Sequence, residues 1–428
     1  MIPLSGDRFS PAIIRIFDAK SLIIVKMSEP TILYLDNNAS TPLATPVLEA
    51  MLECARCQHG NPASPHLSGR KARQVVEKAR ERILVALGGR TTGTNPDRII
   101  FTSGATEANN LALRGLGKAG PIIISSGEHP SVERVARSLM QSGTAVHWLD
   151  VDRQGVISLH QLESLLQKGA GLVSVIWAQH ETGVLQPMQK IGELCQSYGV
   201  PLHTDATQIV NKMHIDLQKI PVSALTFSGH KFHGPKGVGG LFIQGSTDLK
   251  PLLLGGFQQS GTRPGTESPV LAEGLWAAWE WSQSQMRDGD HALRTMRDFL
   301  EHEISLVFPN VVFHGDQTLR TPQTSCFSVA GVDRQALLMS LDQAGIACST
   351  GAACESGAVQ RSPILEAMEC ETSLLDAAIR LSVGYLNTNQ EMELAVGRIT
   401  KCIKNLQKTI SSSNTAAPAR REGLKMVD

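Results

Sequence analysis

Two side chains set the chemistry this chain can perform. Lys231 lies in Phe227-Ser-Gly-His-Lys-Phe-His-Gly-Pro-Lys236, a turn following an apolar run, and Asp205 closes an earlier run in His203-Thr-Asp-Ala-Thr-Gln208. A lysine amine condenses with the aldehyde of pyridoxal phosphate (PLP), and a carboxylate facing the ring nitrogen keeps it protonated, so that the ring absorbs carbanion electrons. Lys236 is a nearby rival, but the position of Lys231 directly after strand and turn favours it. A third signal is Cys354, in Cys348-Ser-Thr-Gly-Ala-Ala-Cys-Glu-Ser-Gly357, a stretch of small residues that lets a thiol swing. A PLP lysine joined to a loop thiol points to sulfur chemistry.

Other residues fit the same site. Ser103-Gly-Ala-Thr106 opens a helix, whose free N–H groups and positive dipole end suit a phosphate, with Thr106 and the amide of Ala105 as contacts. His129, after a buried strand, offers a flat ring to stack on a pyridine and to shuttle protons. Gln208 is placed to reach the cofactor's phenolic oxygen, and Ser228 and His230 flank the lysine closely enough to share the phosphate. Cys54-Ala-Arg-Cys57 has redox or half-zinc spacing but no second pair, so it receives no role and no metal is expected.

The elements that must position these groups are legible from periodicity. Arg98–Phe101, Pro121–Ile124, Ala145–Trp148, Leu172–Trp177, Val200–His203, Ala224–Phe227 and Gly240–Ile243 are strand-like runs alternating with helical stretches. This predicts an α/β layer with a largely parallel buried sheet, whose strand ends gather the candidate residues on one rim. One helical segment is expected over 271–308, followed by a smaller α+β unit with strands at 311–313, 325–329 and 379–384 and a helix over 334–344. The expected division is a large PLP-binding domain over 46–290, and a small domain from 28–45 with 291–410 that carries the cysteine loop. Residues 1–27 are expected to be a disordered or non-native arm, since Met27 opens a second start, and 411–428 a flexible tail.

The 428 residues balance 40 Lys plus Arg against 40 Asp plus Glu, which gives no sign of a nucleic-acid or membrane partner. Eight scattered cysteines without a framework are consistent with reduced thiols and a cytoplasmic location.

Several motifs together resemble the cysteine desulfurases of the class V aminotransferase-like group, in the branch serving nitrogen fixation and iron-sulfur cluster assembly. They are Tyr34-Leu-Asp-Asn-Asn-Ala-Ser-Thr41, Gly60-Asn-Pro-Ala-Ser-Pro-His66, Ser103-Gly-Ala-Thr-Glu-Ala108, Asp205-Ala-Thr-Gln208, Ser228-Gly-His-Lys231, Arg263-Pro-Gly-Thr-Glu267, Ser349-Thr-Gly-Ala-Ala-Cys354 and Arg380-Leu-Ser-Val-Gly384. The resemblance implies the PLP-dependent transferase fold of type I, with a mostly parallel seven-stranded sheet in the large domain and a smaller α+β domain. It implies that Lys231 holds PLP and abstracts the substrate proton, that Asp205 pairs with the ring nitrogen and that His129 stacks. Ala105, Thr106, Ser228 and His230 would bind phosphate, and Thr266 would reach the neighbouring subunit's phosphate in a homodimer. Arg380 would grip the substrate carboxylate, and Cys354 would attack the substrate sulfur, releasing alanine and keeping a persulfide for a sulfur-acceptor or iron-sulfur scaffold protein.

The chain departs from that pattern at particular places. His180, in Gln179-His-Glu-Thr-Gly183, replaces an asparagine that contacts the phenolic oxygen. Phe257 and Ser260 replace a glycine and an arginine, Tyr385 replaces a frequent arginine, and Glu355 stands where a small hydroxyl residue is common. Two alternatives therefore accompany the desulfurase expectation: a related lyase acting on selenocysteine or another β-substituted amino acid, and a PLP-binding paralogue with a regulatory role.

Overall fold

The computed structural model describes residues 14–18, 21–25, 32–117, 119–287, 291–315, 320–351 and 361–415. Strands β1 (Ile14–Asp18) and β2 (Ser21–Val25) pair as an antiparallel hairpin, and β3 is Leu33–Tyr34. The main sheet uses β4 (Arg98–Thr102), β5 (Ile122–Ser125), β6 (Val146–Leu149), β7 (Leu172–Ile176), β8 (Leu202–Asp205), β9 (Ala224–Ser228) and β10 (Gly239–Ile243) in the order β4-β10-β9-β8-β7-β5-β6. Each of the seven runs read from sequence is one of these strands. All run parallel except β10, which is antiparallel to both neighbours, β4 and β9.

Consecutive strand residues face opposite sides of a sheet, and both sides here are apolar. Ile99, Phe101, Ile123, Val173, Leu225 and Phe242 enter one cluster with helices Thr45–Cys57, Leu67–Ala86, Met188–Ser197 and Pro269–Arg287. Ile100, Ile122, Ile124, Leu172, Leu241 and Ile243 enter another with helices Ala105–Gly115 and Pro130–Gln141. Covered on both faces, the sheet offers ligands only its ends.

A separate cluster gathers Leu33 and Leu35 with β11 (Val311–Phe313), β12 (Thr324–Val329), β13 (Ile346–Ala347), β14 (Ala378–Ser382) and helices His291–Val307, Arg334–Gln343 and Asn389–Thr415. Strands β11, β12 and β14 form an antiparallel sheet in that order, while β13 pairs in parallel with β3. The helical segment expected over 271–308 comprises two helices, Pro269–Arg287 and His291–Val307. Asp288-Gly289-Asp290 between them is poor helix sequence. The split matters because Trp279 of the first helix packs in the large cluster and Leu293 of the second in the smaller one. Among the described residues no helix is long and apolar enough to cross a membrane.

Candidate active site

A cavity of about 730 Å³ opens at the C-terminal ends of β4, β5, β7, β8 and β9. Ten of the twelve residues named from sequence line it: Ala105, Thr106, His129, His180, Asp205, Gln208, Ser228, His230, Lys231 and Arg380. Thr266 is exposed and lies outside the lining, and Cys354, like Glu355, lies outside the described residues.

Strand β9 ends at Ser228, and one turn of 3-10 helix, Gly229–Lys231, delivers the lysine. Lys231 Nζ donates to the carbonyl of Asn38 at 2.6 Å. Burial, then the Arg380 guanidinium, bring its amine down to about 8, against the raising pull of Asp205 and Asp36. The amine is therefore far more easily uncharged than a solvated lysine.

Asp205 ends β8, 4% exposed. Its Oδ1 accepts from the Thr207 amide at 2.9 Å and its Oδ2 from Asn109 Nδ2 at 2.7 Å. Asn109 also donates to Ser131 Oγ at 2.9 Å, and Ser131 Oγ lies 2.8 Å from His129 Nδ1. The Ser131 amide donates to that same nitrogen at 3.1 Å, so Nδ1 accepts and the ring proton of neutral His129 sits on Nε2. Burial, then Lys231, outweigh Asp205 and lower the imidazole, which favours this neutral form. The carboxylate and the imidazole are thus joined through Asn109 and Ser131.

The phosphate end is built from backbone. Gly104, at φ 154°, precedes helix Ala105–Gly115 in a conformation that essentially only glycine adopts, and a Cβ there would lie 3.6 Å from Ser228 Oγ. That hydroxyl is buried and has no hydrogen-bond partner among the described residues. His230 Nδ1 lies 3.3 Å from Ser40 Oγ, and burial followed by Lys231 and Lys236 brings the imidazole to about 4, so it is neutral and keeps one N–H. An unpartnered hydroxyl, a helix N-terminus and a neutral histidine around a glycine-lined recess fit the phosphate of PLP. The Asp205 carboxylate and the Lys231 amine fit its ring nitrogen and aldehyde.

Arg380, on β14, donates from Nη2 to Asp36 Oδ1 at 2.7 Å and from Nη1 to the His180 carbonyl at 3.0 Å, while Nε has no partner among the described residues. The His180 ring meets His129 edge to face, with centroids 5.4 Å apart. Burial, then His129, Arg380 and Lys231, hold it well below the ordinary histidine range. Gln208 Nε2 donates to the Asn38 carbonyl at 3.0 Å and its Oε1 accepts from Lys212 at 2.9 Å. The exposed Thr266 rides on a segment tied down by Arg263, which donates to both oxygens of Glu107 at 2.7 and 3.1 Å, and by Arg80, which reaches Glu267 at 2.5 Å.

Sequence reasoning passed over Asn38, Asn109, Ser131, Lys212 and Glu128. The signal for Asn109 was present, because a polar residue on the fully buried side of an amphipathic helix needs a polar partner. Glu128 is buried between the Ser125 hydroxyl, which donates to Oε1, and the Ile176 amide at 2.6 Å, with Oε2 unpartnered among the described residues. Desolvation raises its carboxyl to about 8, with the Asp205 charge adding to the rise.

A lysine and a carboxylate held for PLP at the strand ends of a mostly parallel sheet define the class, and comparisons with known proteins refine it. Residues 33–394 match the aminotransferase class-V family. The cysteine desulfurase IscS of Dictyoglomus turgidum is 35% identical over 383 residues, 88% of this chain and 96% of that protein. The cysteine desulfurase NifS of Azotobacter vinelandii is 35% identical over 378 residues, 87% of this chain and 93% of that one. A solved NifS-like protein from Rickettsia africae superposes with a TM-score of 0.80 at 28% identity, over 87% of this chain and 99% of that one. This chain belongs to the class-V aminotransferase family, among its cysteine desulfurases.

Proposed function

We propose that the chain is a PLP-dependent L-cysteine desulfurase in which Lys231 and Cys354 carry the chemistry. The observation that supports it most is the Lys231 amine, brought down to about 8 inside a cavity that also presents Asp205, His129 and Arg380. A solved relative described as SspA in complex with cysteine, 29% identical with a TM-score of 0.70 over 83% of this chain, agrees with cysteine as substrate.

Bound PLP supplies an electron sink for the substrate's α-carbon. The residues do the rest. Asp205, held by Asn109 and Thr207, keeps a fixed negative charge for the ring nitrogen. Neutral His129 offers a ring face and one N–H. Lys231, uncharged, takes the α-proton. Arg380 binds the substrate carboxylate with a guanidinium already oriented by Asp36. The Cys354 thiolate then attacks the substrate Sγ. A sulfur–sulfur bond forms on Cys354, the carbon–sulfur bond breaks, its electron pair stays with the carbon, and protons from the site complete alanine. Cysteine plus the enzyme thiol give alanine plus the enzyme persulfide, with atoms and electrons balanced.

The finer roles belong to the same proposal. Ala105, Thr106, Ser228 and His230 take the phosphate; Gln208 and His180 serve the phenolic oxygen. Thr266, which is exposed, as are Leu254 and Phe257, completes the phosphate site of a second copy in a homodimer. The persulfide passes to a sulfur-acceptor or iron-sulfur scaffold protein in the cytoplasm. The two packed clusters support a large domain over 46–290 and a small domain from 28–45 with 291–410.

The test is to follow sulfide and alanine together from L-cysteine, with PLP and a thiol reductant. Equal yields, abolished by Lys231→Ala and Cys354→Ala, support the proposal. Alanine formation that survives Cys354→Ala sinks the mechanism.

A further inference from the structure

The turn after β8 holds a second buried lysine that the chemistry above does not use. Lys212 is 4% exposed. Backbone bonds from Val210 N to Ala206 O and from Lys212 N to Ile209 O coil this segment, so residues 208 and 212, four apart, face the same side. Lys212 Nζ donates to Gln208 Oε1 at 2.9 Å, and Gln208 Nε2 donates to the carbonyl of Asn38 at 3.0 Å. That carbonyl is the one that accepts from Lys231 at 2.6 Å. Gln323, at the start of the smaller sheet's β12 segment, donates to the Gln208 carbonyl at 3.3 Å and closes the group from the other side.

A glutamine amide has a donor end and an acceptor end, and in an apolar pocket nothing intrinsic decides which faces the ligand. An ammonium group has donors only. We propose that Lys212 is a positioning residue: by holding Gln208 Oε1, while the Asn38 carbonyl takes one hydrogen of Nε2, it fixes the donor end of the amide and commits the second Nε2 hydrogen to an anionic oxygen on the cofactor ring. This rests on the assignment of PLP to the cavity and adds a residue that never touches it. The charged groups acting on Lys212 are Lys231 and Arg380, which with burial disfavour its charge; those acting on Lys231 are Arg380, Asp205 and Asp36. Lys212 donates to Oε1 whether or not it is charged, and holds it most firmly as the ammonium.

The experiment follows the visible absorbance band of PLP-loaded protein against pH. A donor to an anionic ring oxygen stabilises that anion, so Lys212→Met should raise the titration midpoint by about one pH unit. In a Gln208→Ala background the same substitution should add nothing, because its path is gone. Lys212→Arg, a donor in every protonation state, should keep the midpoint near the wild-type value, and it carries the test if Lys212→Met does not fold. An unmoved midpoint in Lys212→Met, an equal shift in both backgrounds, or a Lys212→Arg midpoint displaced as far as in Lys212→Met overturns the proposal. Wild-type protein that gains no visible band with PLP overturns the site assignment itself, whereas a band indifferent to Lys212 overturns this inference alone.

Discussion

The lowered Lys231 amine makes capture of PLP by the empty protein steeply dependent on pH. Only the uncharged amine attacks an aldehyde. With its midpoint at about 8 rather than 10.5, about one amine in eleven is uncharged near pH 7, against about one in 3000 for a solvated lysine, a gain of about 300-fold. The second-order rate of PLP capture, followed in a stopped-flow instrument by the growth of the visible band, should therefore climb about tenfold between about pH 7 and pH 9 and then level. Burial is the first cause of the lowering and the Arg380 charge the second. Arg380→Met removes that charge and releases Asp36, whose pull raises the amine. Both changes act in one direction, so the midpoint of capture should move up towards 10.5 and the rate near pH 7 should fall. A capture rate flat from about pH 7 to pH 9, or a midpoint that Arg380→Met leaves in place, refutes the electrostatic account of the lysine.

The same lysine should make the empty protein less stable than it need be. Its folded value lies below its unfolded one, so the unfolded chain holds the proton more tightly; the penalty is full below about pH 8 and fades as pH rises towards 10.5. Lys231→Met in cofactor-free protein should gain about 2 kcal/mol near pH 7, from about 3 of relieved penalty less about 1 for the lost bond to Asn38, and urea unfolding should show the gain vanishing above about pH 10. Glu128 has the opposite sign, raised from 4.5 to about 8, so its contribution is full at low pH and is lost as pH climbs to about 8. Glu128→Gln should therefore overtake wild type in stability across that window, and parallel unfolding profiles would count against a neutral buried carboxyl. Asn109→Ala cuts the tie between Asp205 and Ser131; it should weaken PLP binding about tenfold in an absorbance titration while leaving the circular dichroism spectrum intact.

Much of this was legible in the sequence because buried parallel strands are continuous apolar runs, and each of the seven became a strand within one or two residues. The antiparallel β10 was not legible, since Gly240–Ile243 has the same apolar character in either direction. The helical character over 271–308 was legible because both halves keep a helical apolar period, but that period does not show that the two halves pack in different hydrophobic clusters. At the site, residues that touch a ligand announce themselves through motifs, whereas those that hold them do not. Asn38 acts through its backbone carbonyl, which side-chain chemistry cannot reveal. Lys212 reads in sequence as one more surface lysine, and only the coil of residues 206–213 turns it inward.

These supporting groups explain how one pocket serves three tasks that pull against one another. Binding a phosphate and a carboxylate calls for positive charge, while a reactive Lys231 calls for an amine that sheds its own. The cavity meets the first need largely with donors that carry no full charge: helix amides beyond Gly104, the Ser228 hydroxyl and the neutral imidazole of His230. Of the two arginines that line the cavity, Arg134 and Arg380, the second reaches the His180 carbonyl at the substrate end and is half-neutralised by Asp36. That same cation is the charge that lowers Lys231. When a substrate carboxylate binds Arg380, the field on Lys231 weakens and its affinity for a proton rises. Arg380 thus adds to burial in raising the uncharged share of the amine while the site waits, and substrate binding turns that amine into a stronger base when the α-proton must be taken.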